Sequence, residues 1–218
     1  MNFIFISDKS PKGRKTKGWN GFFQINKKEN LASNQIKTIH KKFPKSKIIY
    51  IYGFDGKRAS TYFEQTQNKN VIGVYNKNYD TSGEVSSLTT ISEYLTQECM
   101  LLHGDILLKP SVFDNFKKSK QKSKIFISTK HSTELGCVLD AQENVQHICY
   151  GLNNYLLGLY YISNSHISLF KQMVDNYSYR NYFLFEIINK MIDHNVSFEP
   201  ITTNRKNNLQ YIKDIKQE

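Results

Sequence analysis

Asp105 stands in an otherwise apolar run, His103, Gly104, Asp105, Ile106, Leu107 and Leu108. A carboxylate in such a run is costly unless it is solvated, hydrogen-bonded or bound to a cation. A strand places such a group most cheaply at the carboxyl edge of an open α/β sheet, which is where ligands bind. Asp105 is therefore a metal-ligand candidate. The plainer alternative is a cap for the next turn, but Pro110 and Ser111 already supply a helix-start signal there. Gly104 lacks a side chain and would let a ligand or phosphate come close to the backbone.

A second candidate is the loop from Asp8 to Gly21, which carries Lys9, Lys12, Arg14, Lys15 and Lys17 among Gly13, Gly18 and Gly21. Backbone N–H groups and cations in such a loop can wrap a polyphosphate. It contains neither G-x-G-x-x-G nor G-x-x-x-x-G-K-[ST], which removes the dinucleotide and P-loop readings; by composition a plain surface loop fits equally well. The small polar stretch Tyr79 to Leu88 offers the hydroxyls of Ser86 and Ser87 either to a ligand or as helix caps. Cys99, Cys137 and Cys149 are an odd number without a C-x-x-C pair, so they suggest neither a disulfide framework nor a zinc site.

These residues need a frame that brings them together, and hydrophobic periodicity supplies one. Continuous apolar runs predict strands at Asn2–Ser7, Lys47–Tyr52, Asn70–Tyr75 and Cys99–Leu108. Between them, helices are expected from Leu31 to Phe43, Ser60 to Gln67 and Ser86 to Leu95, with Pro44 as a stop signal. Such alternation predicts βαβ units, hence an α/β three-layer sandwich with a mostly parallel sheet.

Beyond Pro110 the reading turns mixed. It predicts a short helix around Val112 to Phe116, a strand at Lys124–Ser128 and a hairpin from Leu135 to Tyr150 turning at Asp140 to Asn144. A strand at Leu156–Ser163, helices at His166–Val174 and Tyr182–His194, an extended Val196–Thr202 and a helix from Asn207 to Lys216 complete it. Over 218 residues without repeat or linker, one domain is expected.

Thirty Lys and Arg against 19 Asp and Glu give a formal charge of +11, which attracts polyanions. The excess is lysine spread along the chain, without an arginine stripe or DNA-binding motif, so a nucleic-acid partner is not expected. The apolar run at Phe3 to Ile6 is far too short for a membrane span or a signal-peptide core, and the expectation is a cytoplasmic protein.

Taken in order, four stretches resemble the nucleotidyltransferases that activate sugar phosphates or phosphocholine. Gly13 and Arg14 look like the end of that family's G-x-G-x-R signature. Leu31 to Gly53 is similar to its Gln-Ile, helix, strand, Gly segment. Asn76 to Leu88 looks like its Asn, Tyr, Thr, Ser-Leu segment, and His103 to Leu108 like its Gly-Asp strand end. The resemblance implies a glycosyltransferase-A-like fold, with residues 1–110 as the nucleotide-binding half and 111–218 as the acceptor-binding half, and transfer of a nucleoside monophosphate from an NTP, CTP or UTP, to a small phosphorylated acceptor with loss of pyrophosphate. It implies Mg²⁺ on Asp105 with Asn204 at the second metal position. Arg14 and Lys17, or Lys15 in its stead, would then face the leaving pyrophosphate. Ser7, Lys12, Gly13, Asn76, Ser86, Ser87 and Gly104 would surround the nucleotide.

The chain departs from the family pattern at two places. Trp19 and Asn20 stand where the family has Pro-Lys, and Asn204 where it has a second metal-binding Asp. Two other readings follow: a degenerate relative that binds nucleotide without turnover, and a glycosyltransferase, which the absence of D-x-D disfavours.

Overall fold

A computed structural model describes residues 1–10, 18–81, 83–129, 135–203 and 208–215. Strand β1 (Asn2–Ile6) is followed by a 3-10 turn at Asn20–Phe22, the short strands β2 (Gln24–Asn26) and β3 (Glu29–Asn30), and helix α1 (Leu31–Lys42). Next come β4 (Lys47–Tyr52), α2 (Gly56–Gln65), β5 (Val71–Tyr75), α3 (Glu84–Thr89), β6 (Cys99–His103) and β7 (Ile106–Leu108). The remainder is β8 (Ser123–Ser128), β9 (Leu135–Leu139), β10 (Val145–Tyr150), β11 (Tyr155–Ile162), α4 (Ile167–Asp175), α5 (Leu184–Asp193), β12 (Phe198–Thr202) and β13 (Leu209–Tyr211).

Among the described residues a nine-stranded sheet runs through both halves of the chain. β1 lies at its centre, parallel to β4 on one side and β6 on the other, and β5 continues the parallel set beyond β4. β11 runs antiparallel to β6 and carries β8 and the β9–β10 hairpin; β12 pairs parallel with β8. Among the described residues only β10 and β11 oppose the common direction, so the expected α/β architecture with a mixed, mostly parallel sheet is found.

Strand alternation divides the core in two. Ile4 and Ile6 face one side with Ile49, Ile51 and Leu101, covered by α3, α4 and α5 through Leu88, Phe170 and Ile187. Phe3 and Phe5 face the other with Tyr50, Met100 and Leu102, covered by α1 and α2 through Ala32, Ile39 and Ala59. Both faces of β1 are thus sealed, which is why it reads as an unbroken apolar run. α1 starts where Asn30 and Ser33 cap each other: Asn30 Oδ1 accepts from the Ser33 N–H at 2.8 Å, and Ser33 Oγ accepts from the Asn30 N–H at 3.1 Å.

Two sequence expectations need correction. The single strand Cys99–Leu108 is broken at Gly104-Asp105: β6 stays in the main sheet, while β7 leaves it to pair with β13. An apolar run shows burial but not the sheet in which it is buried, and both pieces are buried. The helix expected over 207–216 is instead β13 and a 3-10 turn at Ile212–Asp214 among the described residues. Leu209, Ile212 and Ile215 recur every three residues and imitate a helical stripe, but the alternation of Leu209, Gln210 and Tyr211 against β7 prevails. A smaller shift is α2, which begins at Gly56 rather than Ser60.

Candidate functional site

The carboxyl ends of β1 and β6 open into a cleft of about 400 Å³. Ser7, Asp8 and Ser10 reach it from the end of β1, His103, Gly104 and Asp105 from the end of β6, Asn20 from the first loop and Glu84 from the start of α3. Ile212 and Lys213 close it from the C-terminal segment. A smaller cavity of about 240 Å³ adjoins it, walled by Leu135, Tyr150, Leu156, Tyr160 and Tyr211. His103, Asp105 and Lys213 belong to both.

Asp105 therefore sits on the wall between two cavities, half-buried and at the sheet edge. Burial pushes its carboxyl above the ordinary carboxylate value, against the opposing pull of His103 and Lys213. Its turn is held from behind by Gln35 of α1, a fully buried side chain whose Nε2 donates to the carbonyls of Ile106 at 2.8 Å and Gly104 at 3.3 Å. The Tyr50 hydroxyl donates to Gln35 Oε1 at 3.0 Å and fixes that amide in turn. From the front, the Ile212 N–H donates to the Asp105 carbonyl at 2.9 Å.

Gly104 lines the cleft, and its missing side chain also serves the packing behind it. A Cβ on it would stand 2.3 Å from both Cβ and Oγ of Ser7, so its missing side chain lets β1 pass. Ser7 is correspondingly fixed: its N–H donates to the Ile51 carbonyl at 3.0 Å, and its carbonyl accepts from Trp19 Nε1 at 2.8 Å. Trp19 is buried among Phe22, Tyr50, Tyr62 and Phe63. Asn20, directly after that anchor, is one of the loop residues that line the cleft.

Asn76 and Ser87 lie behind the cleft rather than on its wall. Asn76 Nδ2 donates to Asp8 Oδ2 at 2.7 Å and Ser87 Oγ donates to the same oxygen at 2.6 Å, all three residues being buried. They position Asp8. Ser86 is half-buried on α3, its N–H on the Arg180 carbonyl, and does not line the cleft. Lys12, Gly13, Arg14, Lys15, Lys17 and Asn204 lie outside the described residues.

Sequence reasoning missed Asp8, Glu84, His103, Asn20 and Lys213 as cleft residues. Glu84 Oε2 accepts from the Leu184 N–H at 2.8 Å, and its other oxygen stands 3.9 Å from His103 Nε2. Asp8 was detectable, because a second acid directly after a buried strand raises the same question as Asp105. Lys213 was not, since only the β7–β13 pairing brings it there. Several polar atoms on this wall are buried without a hydrogen-bond partner among the described residues: Ser7 Oγ, Asp8 Oδ1, Ser10 Oγ, Asn20 Oδ1 and His103 Nε2. Buried polar groups are normally paired, so this wall offers a set of open hydrogen-bonding positions that a polar ligand would suit.

Among the described residues no group of three or more His, Cys, Asp or Glu side chains is placed to hold a metal ion. A single carboxylate suits Mg²⁺, which commonly takes one or two protein carboxylates and completes its shell with water and substrate phosphates. Asp105 fits that description. No helix among the described residues is long and apolar enough to cross a membrane.

The fold has clear counterparts among solved structures. CTP:phosphocholine cytidylyltransferase from Streptococcus pneumoniae superposes with a TM-score of 0.78 at 16% identity, covering 98% of this chain and 93% of that one. The inositol-1-phosphate CTP transferase from T. maritima gives 0.70 at 15% identity, over 92% of this chain and 84% of the other. A nucleoside-diphosphate-sugar pyrophosphorylase from Vibrio cholerae RC9 gives 0.74 at 11% identity, over 97% and 95%. No protein-family model and no curated protein matches the sequence. The resemblance carried by four short stretches is thus found again in the fold, which is that of these nucleotidyltransferases over nearly the whole chain.

Proposed function

We propose that the protein is a Mg²⁺-dependent nucleotidyltransferase that transfers a nucleoside monophosphate from an NTP, CTP or UTP, to a small phosphorylated acceptor, a sugar phosphate or a phosphocholine-like alcohol phosphate. The observation that carries this reading is Asp105 on the wall common to two cavities. The larger one takes the nucleotide and the smaller one the acceptor, so the reacting phosphates meet at the residues both share.

In this reaction an acceptor phosphate oxygen attacks the α-phosphorus in line, a new P–O–P linkage forms, and the bond to pyrophosphate breaks. Little covalent chemistry falls to the protein; positioning and charge neutralisation do the work. Asp105 would hold Mg²⁺, which supplies neutralisation of phosphate charge. Lys213 lies on the same shared wall and brings a cation to the phosphates there. The Gly104-Asp105 turn, braced by Gln35 behind and Ile212 in front, holds the carboxylate in place while charge moves.

The test is pyrophosphate release from NTPs with a panel of sugar phosphates and phosphocholine. Metal-dependent turnover that disappears in Asp105→Ala, with folding retained, is the expected result; absence of turnover with every triphosphate and acceptor overturns the reading. A second reading, a relative that binds nucleotide without turnover, is favoured by the neutral Asn20 at the cleft where the family has a lysine. It predicts thermal stabilisation by NTP that does not depend on Mg²⁺.

A further inference from the structure

We infer that Asp8 is the base-selecting residue of the nucleotide cavity and that it favours a base carrying its amino group at pyrimidine C4 or purine C6, cytosine or adenine, over uracil or thymine, which carry a carbonyl at C4. The inference rests on the nucleotidyltransferase reading and adds to it a specificity determinant.

Asp8 is fully buried, and its two carboxylate oxygens have different fates. Oδ2 is occupied twice, by Asn76 Nδ2 at 2.7 Å and Ser87 Oγ at 2.6 Å. Oδ1 has no partner among the described residues. The side chain is thus locked in one orientation with one acceptor left over, on a residue that lines the cleft. Leaving a buried carboxylate oxygen unpaired is costly, and the ligand that binds there best is the one that brings a donor.

The ligand's parts can be sorted by chemistry. A phosphate has only acceptor oxygens and carries like charge, so it is repelled. A metal ion that neutralises the reacting phosphates belongs on the wall common to the two cavities, and Asp8 lines the larger cavity alone. The acceptor cavity does not include Asp8, whereas it does include Asp105, His103 and Lys213. Asp8 belongs to the other flank of β1, tied through Asn76 to the end of β5 and through Ser87 to α3. With phosphates gathered at the shared wall, the part of an NTP that reaches this flank is the nucleoside. An amino group of the base donates to Oδ1, while the corresponding carbonyl of uracil or thymine sets acceptor against acceptor.

The geometry also predicts a reversal. In Asp8→Asn the donors of Asn76 and Ser87 still require an acceptor, so the Asn carbonyl oxygen takes the Oδ2 place and its NH₂ takes the Oδ1 place. The site then offers a donor and prefers a carbonyl-bearing base.

The experiment is calorimetric binding of CTP, ATP, UTP and TTP to the full chain with Mg²⁺, for the wild type and Asp8→Asn, with melting curves to verify folding. An amino-bearing nucleotide should bind the wild type about ten- to a hundredfold more tightly than UTP or TTP, and Asp8→Asn should erase or invert that ratio. The wild-type panel tests the inference even if the variant does not fold. Binding and turnover of UTP or TTP equal to or better than CTP and ATP overturn the assignment while leaving the nucleotidyltransferase reading intact. So does equal binding of all bases with a large loss for 2′-deoxynucleotides, which would make a ribose hydroxyl the donor. Failure of every nucleotide to bind overturns both.

Discussion

The backbone N–H of Ile212 donates to the carbonyl of Asp105 at 2.9 Å, joining residues more than a hundred positions apart. Through this bond and the pairing of Leu209 with Leu108 and Tyr211 with Ile106, the C-terminal segment becomes a wall of the cleft. Lys213, the next residue, is placed beside Asp105 by that pairing.

Lys213→Ala should therefore lower kcat/KM about tenfold or more, since a charge-assisted hydrogen bond to phosphate contributes on the order of 1.5–3 kcal/mol. Lys213→Arg should recover part of it. Because the side chain is exposed, the melting temperature should stay within about a degree or two of wild type. Steady-state kinetics and calorimetry read the two effects separately.

Asp105 supplies a pH signature. Its carboxyl is raised in the folded state, chiefly by burial, so the folded protein holds this proton more tightly than the unfolded chain does. Stability from this group is greatest below the unfolded carboxylate pKa and falls as pH rises through the folded one. Asp105→Asn should accordingly be as stable as or more stable than wild type near neutral pH, with the difference shrinking in acid, while metal-dependent turnover is lost. A variant less stable than wild type at neutral pH would contradict this. For the wild type, Mg²⁺ affinity should fall as pH drops below the raised pKa, because the metal competes with that proton.

Gln35 is a buried amide in the core of the α1 face whose task is to brace the Asp105 turn. Gln35→Met keeps approximate volume but leaves the Gly104 and Ile106 carbonyls and the Tyr50 hydroxyl short of a partner. A loss of about 1–3 kcal/mol in denaturant unfolding is expected, with a drop in kcat because the carboxylate is no longer held.

Ser87→Ala removes one of the two donors on Asp8 Oδ2. Unfolding free energy should fall by about 1–3 kcal/mol, and discrimination between CTP and UTP should narrow as the Asp8 carboxyl gains freedom to turn. A change in stability with an unchanged base ratio would assign Ser87 a structural role alone.

The legible parts of the fold are those written in local pattern. β1 and β4 are buried on both faces and read as continuous apolar runs; α1 announces itself through Leu31, Ile36 and Ile39 with Pro44 beyond. The hairpin at Asp140 to Asn144 was equally visible, and there Asp140 Oδ1 accepts from the Gln142 and Asn144 N–H groups. The break at Gly104 and the strand at Leu209–Tyr211 were hidden, because each depends on a partner distant in sequence. Ser87 and Asn76 could be picked out as polar residues near a turn, but whether they touch ligand or another side chain is decided by Asp8.

By itself the chain's order of apolar runs, helical stripes and turn residues determined an α/β sheet with Asp105 at its carboxyl edge, since burial of strand faces and the cost of a buried charge are local matters. Only the tertiary structure decided which distant groups join Asp105: Asp8 from the end of β1, Glu84 from the start of α3, and Lys213 from the C-terminal segment. Strand pairing is specified by contacts between segments, so what a site contains is settled when those segments meet.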